Sequence, residues 1–242
     1  MTGSTKKKRI WLLPVCLVAV LAAAFFIYAM NYYHADETAL SALRSDGTVL
    51  VSPTDYGWFF DGPSEENLLV FYPGAKVEET AYAPLLHRLA SQGMDVCLLK
   101  MPFRFAFFAA DKASGVLAAY DYENEFVGGH SLGGAMAAIY AAEHGDEIRG
   151  AVLLAAYPTK QMPDDLVLLS IYGSEDGVLN DAKLAEGRDL APDRYEECVI
   201  EGGNHAQFGD YGIQKGDGNA SVSREYQQLM TADLILQNID PQ

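Results

Sequence analysis

Cysteine is scarce in this 242-residue chain: Cys16, Cys97 and Cys198 are the only three. So few thiols exclude a disulfide-stapled scaffold and leave stability to an ordinary apolar core. Basic charge is scarce too, with 17 Lys and Arg against 33 Asp and Glu and a net charge of −16. Setting aside Lys6, Lys7, Lys8 and Arg9 leaves 13 against 33, or −20 for the rest. A surface of that sign repels phosphate backbones, so nucleic acid is excluded as a partner. The five histidines, His34, His87, His130, His144 and His205, show no paired ligand spacing, so neither a metal nor another cofactor is implied. There is no internal repeat and no low-complexity segment. With 50% hydrophobic and 21% charged residues, the chain suits one globular domain of ordinary size.

Charge is also missing from one long stretch near the N-terminus. Ile10 through Met30 is uncharged and apolar, and Lys6–Lys7–Lys8–Arg9 precedes it. A helix of about 20 such residues crosses a hydrocarbon core of ~30 Å, so a single transmembrane anchor is expected over 10–30. The basic cluster holds residues 1–9 in the cytoplasm, which puts the remainder on the extracytoplasmic side of the cell membrane. The competing reading is a signal peptide, cleaved to release a secreted protein. Signal peptides usually have apolar regions of about 7–15 residues and a small-x-small site at the end. Here Ala22-x-Ala24 lies inside the run, and Tyr28-Ala29-Met30-Asn31 makes a poor site. Residues 31–45 read either as a stalk or as a helix already in the domain, with the globular domain over 46–242.

Along that domain, apolar strand-like runs alternate with helical patterns. Leu68–Tyr72, Asp95–Leu99, Glu125–Gly128, Ala151–Ala155, Leu166–Ile171 and Arg194–Ile200 read as strands. Thr80–Gln92, Phe105–Tyr120, Leu132–Ala142, Asp181–Leu190 and Ser223–Asn238 read as helices. The alternation predicts a mostly parallel central sheet with helices on both faces. Residues 46–61 predict an antiparallel hairpin ahead of it.

The chemistry concentrates at Gly129-His130-Ser131-Leu132-Gly133, between a strand and an Ala-rich helix. Such an elbow holds a serine in a strained conformation, with glycines where a Cβ would collide with backbone. A serine hydroxyl is a poor nucleophile unless a base within reach takes its proton. His205, in the turn Gly202-Gly203-Asn204-His205 after a strand, is the candidate base. The turn Gly173-Ser174-Glu175-Asp176 offers two candidate acids, Glu175 and Asp176.

From about Asn67 to the C-terminus these motifs, in the order Ser, acid, His, resemble an α/β-hydrolase, in the small serine-hydrolase branch near dienelactone hydrolases and simple esterases. The resemblance implies an α/β-hydrolase fold and a triad of Ser131, Asp176 and His205. Gly-Ser-Glu-Asp-Gly-Val matches the superfamily's acid turn with Asp176 at the acid position. Pro73-Gly74-Ala75-Lys76 stands where the superfamily often has His-Gly-x, which implies an oxyanion hole from the backbone N–H groups of Ala75 and Leu132. Dienelactone hydrolases carry cysteine at the elbow where this chain has Ser131, which favours carboxylic ester hydrolysis over lactone cleavage. In the family's strand order, the strands holding Cys97 and Cys198 are well apart, so no disulfide is expected.

The substrate class implied is a small acyl compound. Thioesterase, peptidase or acyltransferase activity would use the same residues, and a non-catalytic hydrolase-fold binding protein is the rival from another class. Only Tyr157 to Asp165 separates two strands where many lipases insert a cap, so an open site is expected. Phe103, Phe105, Phe107 and Phe108 are candidates either for the core or for an acyl pocket. The polar loop from Ala206 to Ser221 is a candidate rim. The sequence is silent on oligomeric state.

Overall fold

A computed structural model describes residues 4–239, with side chains from residue 14 onward. The chain forms two compact units, Met1–Tyr32 and Tyr33–Gln242.

The first unit contains one helix, α1 (Ser4–Met30), with Pro14 inside it. Most of its described apolar side chains, among them Val15, Leu17, Val18, Leu21 and Ile27, are exposed. Among the described residues, no helix is long and apolar enough to cross a membrane. The expected transmembrane anchor over 10–30 is therefore not found as a spanning helix. The described side chains begin at Pro14 and fall short of the roughly 20 residues that a span needs. Lys6–Arg9 and residues 10–13 lie outside them.

The second unit opens with a short helix, α2 (Glu37–Ser41), inside the segment for which a stalk was the alternative reading. Asp36 caps it, its carboxylate accepting from Thr38 N and Ala39 N. Eight strands follow: β1 (Leu50–Pro53), β2 (Gly57–Asp61), β3 (Asn67–Tyr72), β4 (Met94–Leu99), β5 (Asn124–His130), β6 (Gly150–Leu154), β7 (Val167–Gly173) and β8 (Arg194–Ile200). They make one sheet in the order β1-β2-β4-β3-β5-β6-β7-β8. β1 and β2 pair antiparallel, as 46–61 predicted, and β2 joins β4 antiparallel. From β4 to β8 every pairing is parallel.

Alternation along the parallel strands divides the core in two. Leu69 and Phe71 point to one face, where α3 (Ala83–Ser91) and α7 (Arg224–Asn238) bury Leu85, Leu86, Leu89, Ala232 and Ile235. Leu68, Val70 and Tyr72 point to the other, covered by α4 (Lys112–Leu117) and α5 (Leu132–Glu143) through Ala113, Val116, Ala137, Ala138 and Ala141. Each such Leu or Phe contributes about 1.5–3 kcal/mol by leaving water. The helix α6 (Asp181–Arg188), capped by Asn180, leads into β8.

The helix expected over 105–120 shrinks to α4. A short 3-10 turn at Ala106–Phe108 replaces its start, and just ahead of it Phe103 and Arg104 adopt left-handed φ values of 52° and 61°. The cause is tertiary. The buried Tyr72 hydroxyl donates to Ala110 O at 2.5 Å and accepts from Ala113 N at 3.3 Å, so backbone groups that a helix would pair internally are claimed from β3.

The segment Tyr33–Asp36 is stitched to two loops. Tyr33 N donates to Lys76 O at 2.7 Å, and Glu78 N donates to Tyr33 O at 2.9 Å. Asp36 N donates to Asp210 O at 2.9 Å, and the Tyr33 hydroxyl accepts from Lys215 N at 3.1 Å.

Candidate active site

At the carboxyl end of β5 the chain reverses into α5 within one residue. Ser131 makes that turn with φ 55° and ψ −125°, a conformation that L-residues avoid at a cost of about 1–3 kcal/mol. Neighbouring glycines make the turn possible. A Cβ on Gly129 would lie 2.6 Å from Tyr72 O, and one on Gly133 would lie 2.2 Å from Tyr72 O and 2.4 Å from Pro73 O. The Ser131 backbone is pinned on both sides: its N–H donates to Leu154 O at 2.9 Å, and its carbonyl accepts from Ala135 N at 3.0 Å.

Asp176 follows β7 and His205 follows β8, so two adjacent parallel strands deliver them side by side. Asp176 Oδ1 accepts from Val178 N at 2.9 Å and Leu179 N at 2.8 Å, which orients the carboxylate. Its Oδ2 lies 2.9 Å from His205 Nδ1, and both side chains are only 2% exposed. An ionised carboxylate only accepts, so the proton sits on Nδ1 and leaves Nε2 with its lone pair. That Nε2 is buried and has no hydrogen-bond partner among the described residues. Glu175 is exposed, and its backbone N–H donates to Gly203 O. Of the two candidate acids, the structure thus brings Asp176 to His205.

A second histidine lies against the first. The His130 and His205 rings are 4.5 Å apart between centroids. The Tyr82 hydroxyl accepts from Gly74 N at 3.0 Å and lies 2.9 Å from His130 Nδ1. With Gly74 donating, the hydroxyl proton goes to His130 Nδ1, and the His130 proton belongs on Nε2. Burial, reinforced by the neighbouring His205, holds His130 well below the usual imidazole value. Burial likewise pushes the Tyr82 hydroxyl well above the usual phenol range.

The two oxyanion candidates sit at the ends of these constraints. Leu132 is the first residue of α5, so its N–H lacks an acceptor within the helix. Ala75 follows Gly74, whose own N–H is held by Tyr82, and precedes Lys76, whose N–H donates to Arg104 O at 3.0 Å. Ala75 N–H has no acceptor among the described residues.

Ser131 and His205 line one cleft of about 390 Å³. Its walls are mainly apolar, including Ala135, Met136, Ala155, Ala156 and Leu179, with Thr159 and Asn180 adding polar groups. A larger cavity of about 600 Å³, walled by Trp58, Glu79, Lys100, Phe103 and Lys112, holds none of the three triad candidates. The site is assigned to the smaller cleft because the chemistry lies there. None of Phe103, Phe105, Phe107 and Phe108 lines it. Phe105 is 7% exposed and counts as core, whereas Phe103, Phe107 and Phe108 are 44–49% exposed. The 206–221 loop does not line the cleft either; it braces it from behind.

That bracing was not legible beforehand. Asp217 accepts from the backbone N–H groups of His205 and Ala206. The buried Gln227 on α7 accepts from Asn204 N and donates to Asn204 O at 2.7 Å. Neither residue stands near a recognisable motif. For a metal, Asp111, Glu143 and His144 bring ligand atoms within 4.8 Å of one another, but both carboxylates are exposed and Glu143 is paired with Lys160.

The alpha/beta hydrolase family model matches residues 68–229, which span the elbow and both turns. The chain belongs to the alpha/beta hydrolase family. Solved structures resemble this hydrolase-family fold at low identity. One is a membrane phospholipase A described as a bacterial virulence factor, with 14% identity and a TM-score of 0.59, covering 97% of this chain and 100% of that one. Another is TT1662 from Thermus thermophilus, with 15% identity, a TM-score of 0.56, and coverage of 80% and 99%. A third is Est1E from Butyrivibrio proteoclasticus, with 14% identity, a TM-score of 0.55, and coverage of 80% and 99%. Among curated proteins, none matches this alpha/beta hydrolase in sequence.

Proposed function

We propose that this protein is a serine hydrolase that cleaves carboxylic esters through an acyl-enzyme on Ser131. One observation carries the reading. His205 is held by Asp176 at 2.9 Å, and its buried, unpartnered Nε2 lines the same cleft as a serine with a strained backbone. As Ser131 Oγ attacks the acyl carbon, His205 Nε2 takes its proton, and the carbonyl oxygen gains charge in front of the N–H groups of Ala75 and Leu132. The imidazolium then protonates the departing alcohol. Water repeats the sequence and releases the acid. Asp176 stabilises the imidazolium without accepting its proton.

The apolar walls and the volume of about 390 Å³ suit a short or medium acyl chain. The phospholipase A among the similar folds agrees with ester chemistry. A fluorophosphonate probe on the full-length protein, followed by an ester panel, tests the reading. Labelling of the wild type that disappears in Ser131→Ala is the expected result. An unlabelled wild type that turns over no ester would instead make this a binding protein on a hydrolase fold.

Membrane attachment is part of the proposal. It rests on Lys6–Arg9 preceding an uncharged run and on the exposed apolar side chains of α1. After carbonate washing the full-length chain should remain in the membrane, with the hydrolase unit open to external protease. Recovery of a shortened soluble form would mean a secreted enzyme.

A further inference from the structure

The loop after His205 runs from Ala206 to Val222 with one short 3-10 turn, yet it places a carboxylate directly behind the triad. Asp217 Oδ1 accepts from His205 N at 3.1 Å, Gly177 N at 3.2 Å and Gly218 N at 2.8 Å. Its Oδ2 accepts from Ala206 N at 2.8 Å. Three of those donors belong to the turns that carry the acid and the base: Gly177 follows Asp176, and the others are His205 and its successor. Hydrogen bonds to an ionised acceptor are roughly twice as strong as neutral ones.

The backbone around Asp217 is shaped for this contact. A Cβ on Gly218 would lie 1.9 Å from Glu175 O, and one on Gly177 would lie 2.7 Å from Gly218 N. Asn204, next to His205, ties the same strand of loop by donating from Nδ2 to Gly218 O at 2.8 Å. The 217–218 peptide thus lies flush against both turns, and glycine at either position keeps the approach open.

We propose that Asp217 is a positioning residue that sets the Asp176–His205 geometry by gripping the backbone of both turns. The inference rests on the ester-hydrolase reading for its kinetic readout. Asp217 does not line the cleft, so its effect falls on the chemical step. Misplacement of a catalytic group by about 1 Å costs on the order of 100-fold.

The test compares Asp217→Ala and Asp217→Asn in the full-length protein. Asparagine keeps one acceptor oxygen but turns an amide towards Ala206 N–H. On a soluble short-chain ester, kcat should fall about 100-fold in D217A and about 10-fold in D217N, with KM little changed and folding intact by circular dichroism. The downfield proton signal of His205 Nδ1–H against Asp176 should shift or vanish in D217A and persist in Glu175→Gln. Wild-type kcat in a folded D217A, or in D217N if D217A does not fold, would overturn the proposal. Failure of both variants to fold would overturn it as well, leaving a purely structural role. An inert wild type would count against ester hydrolysis, while the Nδ1 signal would still decide for or against Asp217.

Discussion

The elbow and the histidine loop hold their catalytic candidates by opposite means. At the elbow, Ser131 is fixed by steric contact between backbones: Gly129 and Gly133 have no room for a Cβ against the Tyr72 and Pro73 carbonyls at the end of β3, and Gly129 none against the start of α5. The loop after β8 is held by polar side chains reaching in from elsewhere, Asp217 from further along the loop and Gln227 from α7. Backbones packed that closely demand small residues at fixed spacing around the serine, and so leave a local pattern. Hydrogen bonds from remote side chains leave none. The two regions should therefore fail differently when altered.

The largest effect is expected from Ser131→Ala, which removes the proposed nucleophile while the glycines keep the turn. Ester turnover should fall by about 10⁴-fold or more with the melting temperature nearly unchanged. Asp176→Asn comes next. It retains shape but lets Nδ1 of His205 lose its acceptor, so turnover should fall by about 10³- to 10⁴-fold, whereas the exposed Glu175→Gln should stay near wild type. The reverse ranking would move the acid role to Glu175.

Gly133→Ala sharpens the contrast from the structural side. Its new methyl would meet the Tyr72 and Pro73 carbonyls, so denaturant titration should show a loss of about 3 kcal/mol or more, or no folded protein. Gln227→Leu should cost about 1–3 kcal/mol, because the Asn204 backbone groups lose their buried partner. It should also lower kcat by more than that loss of stability unfolds the protein, since Asn204 adjoins the base.

The smallest effect is electrostatic. His130 is buried with its folded value well below the ordinary one near 6.5, so below that pH the unfolded chain binds a proton that the folded chain refuses. Its share of stability is whole above about pH 6.5 and declines as pH falls from there. His130→Gln should flatten that decline in urea titrations between pH 5 and 7. The buried Asp95 and Asp210, both raised mainly by burial, act with the opposite sign nearer the carboxylate range and should be unaffected by this variant.

Much of the fold was legible because its signals are local. Leu68–Tyr72 and Leu166–Ile171 read as buried strands from unbroken apolar runs, and β3 and β7 contain them nearly whole. The placing of Ser131, Asp176 and His205 just after strand ends was legible from short glycine-rich patterns. The helix over 105–120 was not, because the group that dismantles it, the Tyr72 hydroxyl bonded to Ala110 O and Ala113 N, reaches in from β3. The same holds for Asp217 and for the Tyr82–His130 pair, 48 residues apart along the chain. A carboxylate 12 residues beyond a histidine has no special meaning until the loop returns.

The stitched segment Tyr33–Asp36 has a mechanical consequence. Where the hydrolase unit begins, the first hydrogen bonds run to Lys76 and Glu78 beside Ala75, then to Asp210 and Lys215 in the loop beyond His205. A pull on the N-terminal end of this unit is therefore felt first at those two loops, before any strand of the sheet takes the strain. A tether attached at residue 33 would tug on the flanks of the candidate cleft, whereas one attached at the end of α7 would load Ile235 and Ala232 in the core before it reached Gln227.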